Sequence, residues 1–100
     1  MYMSQRNIMG SAITFENTTN EIINISNLRY PPGTSDWSFP RVLTPRSSAA
    51  DSLTTFAPYI EIVWSCPSLG IAQRQTIRNT AGNYWVLIQH GVNEVELRQR

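Results

Sequence analysis

The chain predicts an all-β fold, a small antiparallel β-sandwich of about six to eight strands. Three observations carry that prediction. Short segments between positions 11 and 98 alternate apolar and polar residues, the two-residue period of half-buried strands. Turn-forming clusters rich in Asn, Thr, Gly and Pro separate them at the spacing expected of a sandwich or small barrel. No segment sustains a helical period. One hundred residues make one domain, read as a single sandwich over 11–100, with 1–10 as a flexible tail or an added edge strand.

The elements follow in order. Ser11 to Asn17 alternates, with Ile13 and Phe15 on one face and Thr14 and Glu16 on the other. Asn17-Thr18-Thr19-Asn20 reads as a turn, because Asn tolerates left-handed backbone and its side chain bonds its own main chain. Glu21 to Leu28 follows with Ile23 and Ile25 on one face, so the pair is expected to form a hairpin. Residues 29–45 contain four Pro and a Gly, which break regular pairing; a long loop is expected, with a short edge strand near Trp37 to Val42. Arg46 to Asp51, small and polar, reads as a further loop, and Leu53 to Phe56 as a short strand. Tyr59 to Cys66 has the strongest strand pattern, with Ile60, Ile62 and Trp64 on one face; Pro67-Ser68-Leu69-Gly70 ends it. Ile71 to Arg78 alternates again, with Ile71 and Ile77 opposite Arg74 and Arg78. Asn79 to Asn83 has a common hairpin-loop length. Tyr84 to His90 is nearly all apolar and reads as a central strand buried on both faces. After Gly91-Val92-Asn93, a last strand carries Val95 and Leu97, with Glu94, Glu96 and Arg98 outward.

Composition excludes several kinds of function. Net charge is +1 and the eight basic residues, all Arg, are scattered; the concentrated positive charge expected of a nucleic-acid binder is missing. Charged residues are only 15% of the chain, so the surface is rich in Ser, Thr, Asn and Gln. A single Cys, Cys66, forms no internal disulfide and is expected to be a buried thiol acting as a small hydrophobe. With one His, His90, no Cys–His pair is argued. Glu94 and Glu96 share a strand face, but two outward Glu are more simply a solvated edge than a glycosidase pair. No ligand cluster suggests a metal and no Gly-rich loop suggests a phosphate cofactor. The expectation is a protein without enzymatic activity and without a cofactor. No segment reaches the roughly 20 apolar residues of a membrane span, and residues 1–10 lack the apolar stretch of a signal peptide. A soluble protein is expected, released without a signal peptide and acting at a target membrane. Asn17-Thr18-Thr19 and Asn24-Ile25-Ser26 match the glycosylation acceptor pattern, but turn and strand roles explain both Asn.

The binding constellation is aromatic. Tyr30, Trp37 and Phe39 lie in the Pro-rich loop, flanked by Arg29 and Arg41. Trp and Tyr join an apolar body to a polar tip, which suits a lipid–water boundary or the face of a sugar, and Arg pairs phosphates or stacks on rings. The competing reading folds these rings inward to plug the end of the core. Trp64 and Trp85 fall in strands, where core residence is the default. Trp85 shares its face with Leu87 and Gln89, which leaves an exposed or ligand-facing side open to it. The candidate contact residues are Arg29, Tyr30, Trp37, Phe39, Arg41 and Trp85.

Ile13-Thr14-Phe15-Glu16-Asn17-Thr18-Thr19-Asn20 followed by Glu21-Ile22-Ile23-Asn24-Ile25 resembles the first hairpin of aegerolysins. Trp37 followed by Thr44 to Asp51 adds to the likeness. The sharpest motif is Glu61-Ile62-Val63-Trp64-Ser65-Cys66-Pro67, similar to the aegerolysin strand ending in Trp-x-Cys-Pro. Very short bacterial insecticidal β-sandwich proteins show a similar opening and are nearer in size. The resemblance implies a single-domain β-sandwich that binds membrane lipids, in some members insecticidal or serving with a second, pore-forming protein. The leading expectation is thus a membrane- or lipid-binding, toxin-like protein. The alternatives are a carbohydrate-binding, lectin-like module and a small structural or assembly protein whose polar surface covers a homo-oligomer interface.

Overall fold

The computed structural model describes residues 11–29, 38–53, 58–80 and 83–100. It contains eight strands: β1 (Ser11–Asn17), β2 (Ile23–Arg29), β3 (Ser38–Leu43), β4 (Ser48–Leu53), β5 (Tyr59–Cys66), β6 (Ile71–Arg78), β7 (Asn83–Gln89) and β8 (Val95–Gln99). They form two four-stranded sheets, ordered β4-β1-β7-β8 and β3-β2-β5-β6. Every pair is antiparallel except β1 with β7, which runs parallel. One core cluster joins the inner faces. Ile13, Phe15, Trp85, Leu87 and Leu97 come from the first sheet, and Ile23, Ile25, Leu28, Leu43, Ile60, Ile62, Trp64, Cys66 and Ile77 from the second. The fold is the small all-β sandwich expected from the alternation.

The strands form where the pattern is strictest. β5 keeps the predicted bounds and buries Ile60, Ile62, Trp64 and Cys66 while its other face stays half-open. Cys66 is fully buried, with Sγ 3.6 Å from Ser68 Oγ, the position of a small hydrophobe. β3 is an edge strand, and Pro40 within it removes a donor that only an edge can spare.

β2 does not alternate to its end. Ile23 and Ile25 are buried, Ser26 is exposed, and Leu28 is buried again. The register against β5 runs Ile25↔Trp64 and then Asn27↔Val63, so β2 holds one extra residue at Ser26. This bulge resets the phase and returns Leu28 to the core. Ser26 Oγ donates to the Val63 carbonyl at 3.1 Å, anchoring the bulge to its neighbour.

Several expectations change. β1 and β2 lie in opposite sheets, so residues 18–22 are a corner between layers and not a hairpin turn. The Asn17 side chain makes the corner. Its Oδ1 accepts from the Thr19 backbone N–H (2.9 Å) and hydroxyl (2.7 Å), and its Nδ2 donates to the carbonyls of Glu21 (2.8 Å), Leu43 (2.9 Å) and Thr44 (3.1 Å). Asn17 is fully buried, which removes it as a glycosylation acceptor. β6 and β7 also belong to different sheets. Asn83 Oδ1 accepts from the Thr80 N–H and hydroxyl, and its Nδ2 donates to Asn79 Oδ1, so the expected hairpin is again a crossing. The polar stretch 46–51 is not a loop throughout: Ser48–Leu53 pairs with β1, Ala49 opposite Phe15. Small residues suffice there, because β1 offers a ladder edge and Ala49 reaches only the margin of the core. Leu53 is the last residue of this strand, while 54–57 lie outside the described residues. β7 is central, between β1 and β8, but only Asn83, Trp85 and Leu87 are buried; Tyr84, Val86 and Ile88 are half-buried. A two-layer sandwich covers one face of each sheet.

Candidate functional site

β2, β4 and β6 end at one pole of the sandwich; Tyr30 and Trp37 lie outside the described residues. Phe39 is placed in β3. Arg29, at the end of β2, faces Glu61 across the β2–β5 ladder, with Nη1 3.5 Å from Oε1. Arg41, on β3, donates from Nη2 to Asp51 Oδ2 on β4 at 2.7 Å, a tie between edge strands of the two sheets. Both cations are thus held by carboxylates. Trp85 is 7% exposed and part of the core, so its ring is not a surface contact. Arg29, Arg41 and Trp85 therefore occupy three separate surroundings.

The opposite end is built from four turns, 18–22, 44–47, 67–70 and 90–94. Arg46 adopts φ 65°, a left-handed conformation unusual for a side chain of this size. The conformation is fixed from both sides: Arg46 N–H donates to the Asn17 carbonyl at 2.9 Å. Its Nη1 donates to the Thr18 carbonyl (2.9 Å) and its Nη2 to Asn20 Oδ1 (3.1 Å). No ion pair joins Arg46 to a carboxylate among the described residues. Glu21, close by, accepts from the Ser68 hydroxyl at 2.7 Å. Together these turns shape an open depression of about 750 Å³ whose walls include Thr18, Asn20, Arg46, Leu69, Ile88 and Val92. Val92 is 80% exposed, and Ile22, beside Glu21, is 49% exposed. Neither Arg46 nor Val92 stands out in the sequence. The available signals are an apolar residue inside a Gly-Val-Asn turn, and Ile22-Ile23, where a strand entrance admits only one of two consecutive side chains to the core.

The reactive groups are few. Among the described residues no three of His, Cys, Asp or Glu gather where a metal would be held. His90 Nε2 lies 2.6 Å from Glu96 Oε1, and Arg98 Nη2 donates to the same oxygen at 3.0 Å. The His90 contact and then Arg98 hold the Glu96 carboxyl below its ordinary value. On the outer face of the first sheet, the Tyr84 hydroxyl (2.9 Å) and Arg100 Nη1 (2.8 Å) donate to Glu16 Oε1, and the Arg100 guanidinium lies 4.8 Å from the Tyr84 ring centroid. Among the described residues, the buried polar atoms without a partner include the indole nitrogens of Trp64 and Trp85. No helix among the described residues is long and apolar enough to cross a membrane. No protein-family model, curated protein or solved structure matches the chain.

Proposed function

We propose that the protein acts by binding and not by catalysis, docking on phosphate-bearing membrane surfaces through the end of the sandwich that carries Arg46, Val92 and Ile22. The observation that carries this reading is an exposed apolar side chain, Val92, lining the same depression as a cation that has no carboxylate partner among the described residues, with Ile22 exposed in the 18–22 turn. Of the five N–H groups of a guanidinium, the two bonds from Nη1 and Nη2 leave three for a phosphate. Val92 supplies apolar area for the interface. The magnitudes are modest: roughly 1 kcal/mol for one Arg at an anionic surface and at most about 2 kcal/mol for a Val side chain. Binding by one copy is therefore weak, dependent on anionic lipid and reduced by salt. The Trp64-Ser65-Cys66-Pro67 resemblance points to the same class of action, and a toxin-like role with a second, pore-forming protein is its finer form.

Co-sedimentation with phosphatidylcholine vesicles, with and without phosphatidylserine, tests the reading. The chain is expected to pellet with the anionic vesicles at low salt, and Val92→Ser and Arg46→Gln to reduce the bound fraction. Equal absence from every pellet retires it. Dye release from the same vesicles, by the chain alone, separates simple docking from pore formation.

A further inference from the structure

The open edges of the two sheets, β6 and β8, lie on the same side of the sandwich, and a slot of about 410 Å³ separates them. That volume falls within the roughly 300–1,000 Å³ of small-ligand sites. The sequence of β6 prepares it. Ile71, Gln73, Gln75 and Ile77 share the inward face of this strand, so two amides stand where a sandwich normally places apolar side chains. Gln75 Nε2 donates to the Leu97 carbonyl at 3.1 Å and struts the two sheets apart. Gln73, exposed, makes no hydrogen bond through its side chain among the described residues and lies opposite Trp64 on β5. Trp64 lines the slot, is 2% exposed, and carries an indole N–H without an acceptor. A buried donor left unpaired in this way costs stability that a ligand acceptor would restore. Across the gap stand Glu94, whose carboxylate makes no ion pair among the described residues, and the His90–Glu96 pair.

We propose that this slot binds a neutral saccharide unit. Amides both donate to and accept from hydroxyl groups, carboxylates accept from them, and Leu97 and Val95 supply an apolar wall for the C–H face of a sugar ring. Glu94 at the mouth repels anions, so an acidic sugar is disfavoured. Trp64 is too enclosed to stack on a sugar; its contribution is the N–H donor. The site is separate from the docking end and does not depend on it. The sugar is either a soluble glycan or the headgroup of a glycolipid, since the slot reads the hydroxyl pattern common to both.

Titration of the full chain with neutral mono- and disaccharides, followed by two-dimensional amide and indole NMR, tests the proposal. At millimolar sugar, saturable shifts are expected at the Trp64 indole N–H and at the backbone of Gln73, Gln75 and Glu94. Trp64→Phe identifies the indole signal. Gln73→Ala and Glu94→Ala are surface changes that leave the spectrum folded and weaken binding roughly fivefold each, about one hydrogen bond's worth. A uronic acid binds more weakly than its neutral parent. Vesicles bearing a neutral glycolipid that retain Val92→Ser but release Gln73→Ala mark a membrane source; loss only from soluble titrations marks a free glycan. No saturable shift with any neutral sugar, or shifts that Gln73→Ala and Glu94→Ala leave unchanged, overturns the proposal, whatever the outcome with phosphatidylserine.

Discussion

Asn17 makes five hydrogen-bond contacts with one buried side chain, two accepted and three donated by its two amide N–H groups, one of them shared. Asn17→Ala removes the donor to the buried Leu43 carbonyl and the ties to Thr19, Glu21 and Thr44, and is expected to cost roughly 2–4 kcal/mol. In urea the midpoint falls while the slope stays constant. Asn17→Asp at neutral pH is worse, because it turns a charged acceptor toward three carbonyl oxygens. Arg46→Gly removes a side chain from a left-handed backbone position and also two guanidinium bonds. The two effects oppose, so stability stays within about 1 kcal/mol of the parent. Vesicle binding nevertheless falls, which denaturation and co-sedimentation measured together will show. Glu96 gives the pH dependence. Its folded carboxyl titrates below the ordinary range, so its contribution is present above the unfolded value and is lost as pH drops through the folded one. Carbon-detected NMR titration should find Glu96 ionising below the ordinary glutamate value, and His90→Gln should raise it.

Among the elements, the Ser26 bulge decides where half of β2 points. Deleting Ser26 moves Leu28 from core to solvent phase and turns its neighbours inward. The lost Leu burial alone is worth about 2–3 kcal/mol, and circular dichroism should show an unfolded or strongly destabilised chain. Ser26→Ala keeps the residue count and loses one exposed hydrogen bond, costing at most about 1.5 kcal/mol. The legible elements are those whose apolar residues do the packing. In β5, Ile60, Ile62 and Trp64 announce both strand and face, and β6 and β8 follow the same logic. β4 hides because Ser48-Ala49-Ala50-Asp51 carries no large apolar side chain; it is a strand through backbone pairing with β1. The two misread hairpins hide for another reason. Asn-rich turns look alike locally, and at the 18–22 corner the chain is held across layers by bonds from Asn17 to carbonyls 26 and 27 positions away. The bulge is equally silent, since one inserted Ser carries no turn signature.

Across the whole molecule, the same distance in sequence explains the fate of the candidate contacts. Arg29 and Arg41 attract notice as neighbours of aromatic residues, yet their carboxylate partners, Glu61 and Asp51, arrive from other strands. Trp85 shows the reverse: its period with Leu87 already belongs to the core, and Gln89, at the strand end, is only half-buried. Val92 and Arg46 come together only when the 44–47 and 90–94 turns meet. Val92→Ser should leave stability within about 0.5 kcal/mol of the parent, so any lost vesicle binding reports the surface and not the fold. The parallel ladder between β1 and β7 sets Ile13 beside Asn83. On the ribosome, then, β1 keeps a bare flank until β7 has emerged. Closure comes late, in one cooperative step, with the slow rate of a high-contact-order topology. Until that moment the nascent chain needs shielding from its own kind.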